Sequence, residues 1–238
     1  NLMAWVGGAH YVHGHASGMN IELYGKGEVL GHDAGRGRYR TDIHENYYRI
    51  FAAHNTVVSN GASASSGGWV ELGINRIELE SMEPMPRSPA VSENHSFSTT
   101  SFYDEHNLVA PARHERTLAV IRTSPTTGYY VDIFRAKSDA EAPFHDYIYR
   151  NLGESLRLYG EKGPLPLGED DGRFADSADL PWKQNNTFRH PGWHFFEEVK
   201  ISEPYSGSVQ AGFFAKQAGA DGIGMHVFMN ASKGRSYA

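Results

Sequence analysis

Three imidazoles and a carboxylate near the start of this chain have types and spacing that suit metal or proton chemistry. They are His13 and His15 around Gly14, then Asp33 and His54. Six of the thirteen histidines (His10, His13, His15, His32, His44 and His54) fall within the first 54 of 238 residues, about twice the share that even spacing would give. Two imidazoles and one carboxylate suit Zn2+ or a similar divalent ion, which accepts neutral imidazole nitrogen together with carboxylate oxygen. In an extended segment, residues two apart project to the same face. His13 and His15 therefore reach one cavity, and only one of them needs to bind the ion. The other is left for chemistry.

The neighbouring residues support that reading. Asp33 lies in Gly31-His32-Asp33-Ala34-Gly35, between an expected strand and a glycine-rich turn. His54 opens the apolar run Thr56-Val57-Val58. Strand ends and adjoining loops are where a rigid scaffold places function. Arg36, Arg38, Arg40 and Arg49 form the one dense basic cluster, beside the histidines. Of these, Arg36, Arg38 and Arg49 are candidates to grip an anionic substrate through charge-assisted forks. The competing reading is a solvated arginine-rich turn.

The elements that must position these groups are strands. Period-two alternation dominates and no long amphipathic helix is evident. Met19 to Tyr24 alternates and runs into Gly25-Lys26-Gly27, a hairpin signal with Glu28 to Gly31 as the return strand. Further strands are expected over 76–82, 117–122, 129–134, 146–150, 155–159, 194–201, 209–214 and 224–229. Gly61 to Gly68 reads as a flexible turn and Gly163 to Asn186 as a long acidic surface loop. Many short strands between glycine-rich turns predict an all-β fold, an antiparallel β-sandwich occupying residues 1–238 as a single domain.

Composition bounds the function. A net charge of −6 argues against non-specific nucleic-acid binding, while a local basic patch still admits a polyanionic substrate. With no cysteine, neither disulfides nor thiolate metal sites are available. No apolar run approaches the roughly 20 residues that a membrane span needs. The chain begins at Asn1, not Met, and is expected to be a piece of something longer.

Several runs carry a resemblance: His13-Gly14-His15, Ile21-Glu22-Leu23-Tyr24-Gly25-Lys26-Gly27, Asp33-Ala34-Gly35, Tyr39, Tyr47-Tyr48-Arg49 and Ala53-His54-Asn55-Thr56-Val57. Together they resemble the heparinase II/III-like polysaccharide lyases. Looser similarity continues through His114-Glu115-Arg116, Tyr129 to Arg135 and His145-Asp146-Tyr147. The family joins an N-terminal α/α toroid to C-terminal antiparallel sheets, and this chain matches the sheet part. The resemblance implies β-elimination on a uronate polysaccharide, with His13 in the active cleft and Tyr39 reaching the substrate. It further implies that His15, Asp33 and His54 hold a metal, usually zinc, and that the toroid supplies further catalytic groups. A bacterial periplasmic or secreted location goes with that activity.

The chemistry is sound from first principles. A uronate C5 proton becomes acidic once donors neutralise the adjacent carboxylate, on the logic of an oxyanion hole. A base then removes that proton while an acid protonates the departing O4. Histidine and tyrosine suit both tasks because environment tunes them over several units. Alginate is the first expected substrate, since it lacks sulfates and the chain has only one dense basic cluster. A glycosaminoglycan lyase, or a non-catalytic carbohydrate-binding sandwich with a structural metal, is the alternative. A zinc hydrolase that activates water, or a facial-triad iron enzyme, stands further off.

Overall fold

The computed structural model describes residues 2–7, 14–41, 43–61, 76–105, 107, 109–169, 192, 195–215 and 223–238. The architecture is all-β and antiparallel, as expected. Where the sequence reads as one domain over 1–238, contacts divide the chain into two compact units. One comprises residues 1–150 with 177–195, the other 151–176 with 196–238.

In the first unit the strands are β1 (Leu2–Gly7), β2 (Asn20–Gly25), β3 (Glu28–Val29), β4 (Val57–Ser59), β5 (Glu78–Glu83), β6 (His95–Asp104), β7 (Ala112–Arg122), β8 (Gly128–Ser138) and β9 (His145–Tyr147). They form the sheets β1-β2-β3, β4-β9 and β5-β6-β7-β8. β2 buries Ile21 and Leu23 while Glu22 and Tyr24 stay half-buried, the alternation seen in the sequence. Lys26 and Gly27 both have positive φ, as a tight primed hairpin between β2 and β3 requires. Met19, Ile50, Phe51, Val58, Phe102 and Leu118 are among the buried apolar residues.

The second unit holds β10 (Ser155–Gly160), β11 (Gly163–Pro164), β12 (Gly168–Glu169), β13 (Lys200–Ile201), β14 (Tyr205–Ala215) and β15 (Ile223–Arg235). β11-β10-β14-β15 make one sheet and β12-β13 a two-stranded ribbon. Leu158, Leu165, Val209, Ala211 and Tyr237 form its core.

Some expectations change. The strand expected over 194–201 is reduced to β13 at its end, with residues 195–199 irregular. β6 was not anticipated, because His95-Ser96-Phe97-Ser98-Thr99-Thr100 lacks an apolar alternation. β7 starts five residues earlier than expected, since its inward positions 114 and 116 are polar. Two short strands, β11 and β12, lie within the acidic segment expected to be loop. Residues 62–68 and 170–186 lie outside the described residues. The helical elements include a π-helical turn at His44–Tyr48 and a 3-10 turn at Phe51–Ala53. No helix is long and apolar enough to cross a membrane.

Candidate functional site

Between β3 and β4 the chain is largely irregular, and this stretch carries Asp33, Tyr39, His44, Arg49 and His54. Residues 14–17 are tied to it, with Ala16 N–H donating to the Arg49 carbonyl at 2.7 Å. His15 thereby enters the same neighbourhood: its ring centroid lies 5.8 Å from that of His44 and 5.6 Å from that of His54. Tyr39 is 46% exposed. It meets His44 edge-on, at 4.8 Å and 82°. His13 lies outside the described residues.

Burial lowers two of these imidazoles, His15 and His44. Burial, aided by the nearness of His54 and His44, pulls His15 down to about 4. Burial also lowers His44, with Glu45 opposing and Arg49 and Arg36 adding to the shift. Burial pushes Asp33 up, but the bond to His54 and the Gly35 N–H more than offset it, and the carboxyl sits below its ordinary value. Asp33 Oδ2 lies 2.6 Å from His54 Nδ1, and its Oδ1 accepts from Gly35 N–H at 2.7 Å. His44 Nδ1 accepts the Gly37 N–H at 3.2 Å, so in the neutral ring the proton sits on Nε2. His32 Nδ1, His44 Nε2 and His54 Nε2 are all buried without a hydrogen-bond partner among the described residues. Orphaned polar atoms at this density mark a site prepared for something else.

The donor types of His15, Asp33 and His54 fit a zinc-like ion: two imidazoles, that of His15 lowered by burial, a carboxylate held below its ordinary value and an orphaned buried Nε2 on His54. As the side chains stand, only Asp33 and His54 touch. No group of three His, Asp or Glu among the described residues is gathered to hold a metal.

A rigid frame lies beneath. Asn55 is fully buried; its side-chain amide donates to the carbonyls of Ile21 and His32, both at 3.1 Å, and its Oδ1 accepts Arg150 N–H at 2.6 Å. Asn20 Oδ1 accepts the Asn55 N–H at 2.7 Å. Arg150 donates to the carbonyls of His54 and Ala52. Arg116, also fully buried, donates through Nη1 to the carbonyls of Met19 (2.5 Å) and Asn55 (2.6 Å). Asp132 neutralises it in a bidentate pair at 2.8 and 2.6 Å. These groups fix the segments that carry His15 and His54. Sequence reasoning gave Arg116 and Arg150 no role, since nothing local signals a buried guanidinium whose partners are distant carbonyls. It gave His44 no role either, although the histidine excess pointed to it.

The arginine candidates separate. Arg36 and Arg38 are exposed beside the site. Arg49, read from the sequence as a substrate ligand, is interior, 2% exposed. Its Nε donates to the Gly14 carbonyl at 3.1 Å and its Nη1 pairs with Glu45 at 2.9 Å. It ties down Gly14, one residue before His15.

Comparison with known proteins bears on this geometry. The sequence model of one family, "Heparinase II/III-like, C-terminal", matches residues 3–148. The chain belongs to that family. The match covers β2 to β9 and the candidate site residues from His15 to Arg116, and stops just short of Arg150. A relative from Formosa agariphila, an endo-acting ulvan lyase, is 36% identical over 245 residues covering 99% of this chain. The chain spans 29% of that relative's length. No solved structure matches.

Proposed function

We propose that the protein containing this chain is a polysaccharide lyase that cleaves a uronate-bearing chain by β-elimination. The observation that carries the reading is the close set of His15, His44 and the half-exposed Tyr39, imidazole and phenol side by side above a fixed frame. Neutral imidazole and phenol suit removal of a C5 proton and delivery of a proton to O4. The C5–H electron pair becomes the C4–C5 double bond as the C4–O4 bond breaks, and no water is consumed. His13 and Tyr39 are the residues we assign to these transfers, with Arg36 and Arg38 meeting carboxylates along the polymer.

His15, Asp33 and His54 are the residues that would hold a divalent ion, zinc first. Such an ion would supply a fixed positive charge that ties the segment around His15 to Asp33 and His54. Metal analysis of the purified protein checks this: one equivalent is expected, lost in His54→Ala, and a metal-free protein unaffected by chelator overturns it. Further catalytic groups are assigned to a toroid elsewhere in the protein. A polymeric substrate places the enzyme outside the cytoplasm.

For the substrate we choose ulvan, on which the Formosa relative acts, over the alginate expected from scarce basic residues. The full-length protein incubated separately with ulvan, alginate, heparan sulfate and hyaluronan should release unsaturated uronate from ulvan first. Product from alginate or a glycosaminoglycan alone overturns the substrate, and no product from any of the four overturns the lyase.

A further inference from the structure

The second unit carries its own cluster of exposed rings. Register places Tyr159, Gln210 and Phe228 in one row across β10, β14 and β15. Arg157, Gly212 and His226 form the next row, then Ser155, Phe214 and Gly224. Directly paired residues share a face, and the core residues Leu158, Val209 and Ala211 occupy the other face. The face spans about 10 Å across three strands.

Its construction is specific. A Cβ at Gly212 would meet the Phe214 ring at 3.0 Å, and one at Gly224 would meet it at 3.5 Å. The ring therefore rests close against the sheet over two positions that have no side chain. His226 stands edge-on to Phe214 at 5.7 Å and lies within 22° of parallel to Phe228 at 6.4 Å. Phe228 is 75% exposed, far beyond what a ring without a ligand needs. Gln210 Nε2 donates to His226 Nδ1 at 2.8 Å, which leaves the ring proton on Nε2 and the Gln210 carbonyl oxygen as a further acceptor. The exposed Arg157 guanidinium completes the face.

We infer that this face is a binding platform for an acidic polysaccharide, distinct from the histidine site. The C–H face of a pyranose carries partial positive charge and packs on the negative face of an aromatic ring. Hydroxyls both donate and accept, so they can satisfy the Gln210 oxygen and the His226 N–H, which a dry protein contact would strand. Arg157 is complementary in charge to a uronate carboxylate and offers it a bidentate fork. The acidic character of the ligand rests on the lyase reading above; the stacking geometry does not.

The test uses the full-length protein and its Phe228→Ala and Arg157→Gln variants, both at exposed positions. Retardation in gels containing ulvan gives affinity, and unsaturated product gives activity. Phe228→Ala should weaken affinity about tenfold, the loss expected for one ring stack. Arg157→Gln should weaken it several-fold for ulvan and leave binding to a neutral glucan unchanged. Unaltered retardation in both variants on an active enzyme overturns the platform. Weakened retardation in a protein that yields no unsaturated product supports the platform and overturns the lyase.

Discussion

Two histidine clusters in the first unit share their chemistry and differ in their scaffold. In one, His15, His44 and His54 come from irregular chain flanking β2 and β3, beside an exposed tyrosine and exposed arginines. In the other, Ser59 Oγ lies 2.9 Å from both His114 Nε2 and His145 Nδ1, and all three residues come from paired strands, β4, β7 and β9. Burial, with His145 nearby, pushes His114 down to about 3. Its ring is held edge-on by Phe102 and Phe134 at 4.8 and 5.5 Å. Ser59 is fully buried, so no substrate reaches it. A depressed imidazole thus arises outside the candidate site as well. What distinguishes the first cluster is a π-helical turn and an exposed rim carrying Tyr39, Arg36 and Arg38, the combination that functional sites favour.

Substitutions can break that contrast. The largest expected effect is on His54→Ala, which should lower turnover of the full-length enzyme by about 10³-fold, because losing the ligand that would hold the ion misplaces the groups whose proton transfers are worth roughly 10²–10⁴-fold. His114→Gln should keep turnover per folded molecule near that of the parent. Initial rates of unsaturated product at matched folded concentration decide it, and equal losses in the two variants would erase the distinction.

Next comes the frame. Asn55→Ala strands the Arg150 N–H and the carbonyls of Ile21 and His32, and should cost about 3 kcal/mol of stability. A shift in denaturant midpoint with unchanged slope measures this. A shift smaller than that of an average surface substitution would show that the frame is not held through Asn55.

A smaller effect follows from pH. The unfolded His114 takes up a proton as pH falls below its ordinary 6.5, whereas the folded one resists until about 3. The unfolded chain therefore binds more protons across that window. Stability should fall as pH drops through it, by roughly 1.4 kcal/mol per unit from this group. His114→Gln should flatten that slope in melts at pH 7, 6, 5 and 4, and an unchanged slope would assign the acid sensitivity elsewhere.

The smallest effect belongs to the rim. Arg36→Ala and Arg38→Ala should each raise KM a few-fold with kcat and stability unchanged, since both side chains are exposed. A fall in kcat instead would move them from polymer contact to the reacting sugar.

Much of this was legible in sequence, for physical reasons. Half-buried strands alternate, so β2, β8, β10, β14 and β15 announced themselves through residues such as Ile21 and Leu23. β6 did not, because serine and threonine fill its middle. The nearness of His54 to His15 and Asp33 agrees with the motif run, while Tyr39 meets His44, which the motif run did not single out. Arg49 misled, because a guanidinium looks alike in sequence whether it faces polymer or the Gly14 carbonyl. Arg116 and Arg150 were silent because their partners lie far along the chain.

That separation has a consequence for how the protein comes into being. Arg116 reaches back 97 residues to Met19 and 61 to Asn55, and Arg150 reaches back 96 to His54. Contacts of such span close late, after the entropy of the intervening loops has been overcome. On a ribosome, which makes the chain from its N-terminus at about 5–20 residues per second, the histidine segment emerges well before the strands that brace it. Until Arg150 has emerged, an encounter with polymer or metal would meet ligands without a frame. The frame around the histidine segment is therefore complete only from a definite moment in synthesis, set by the arrival of Arg150.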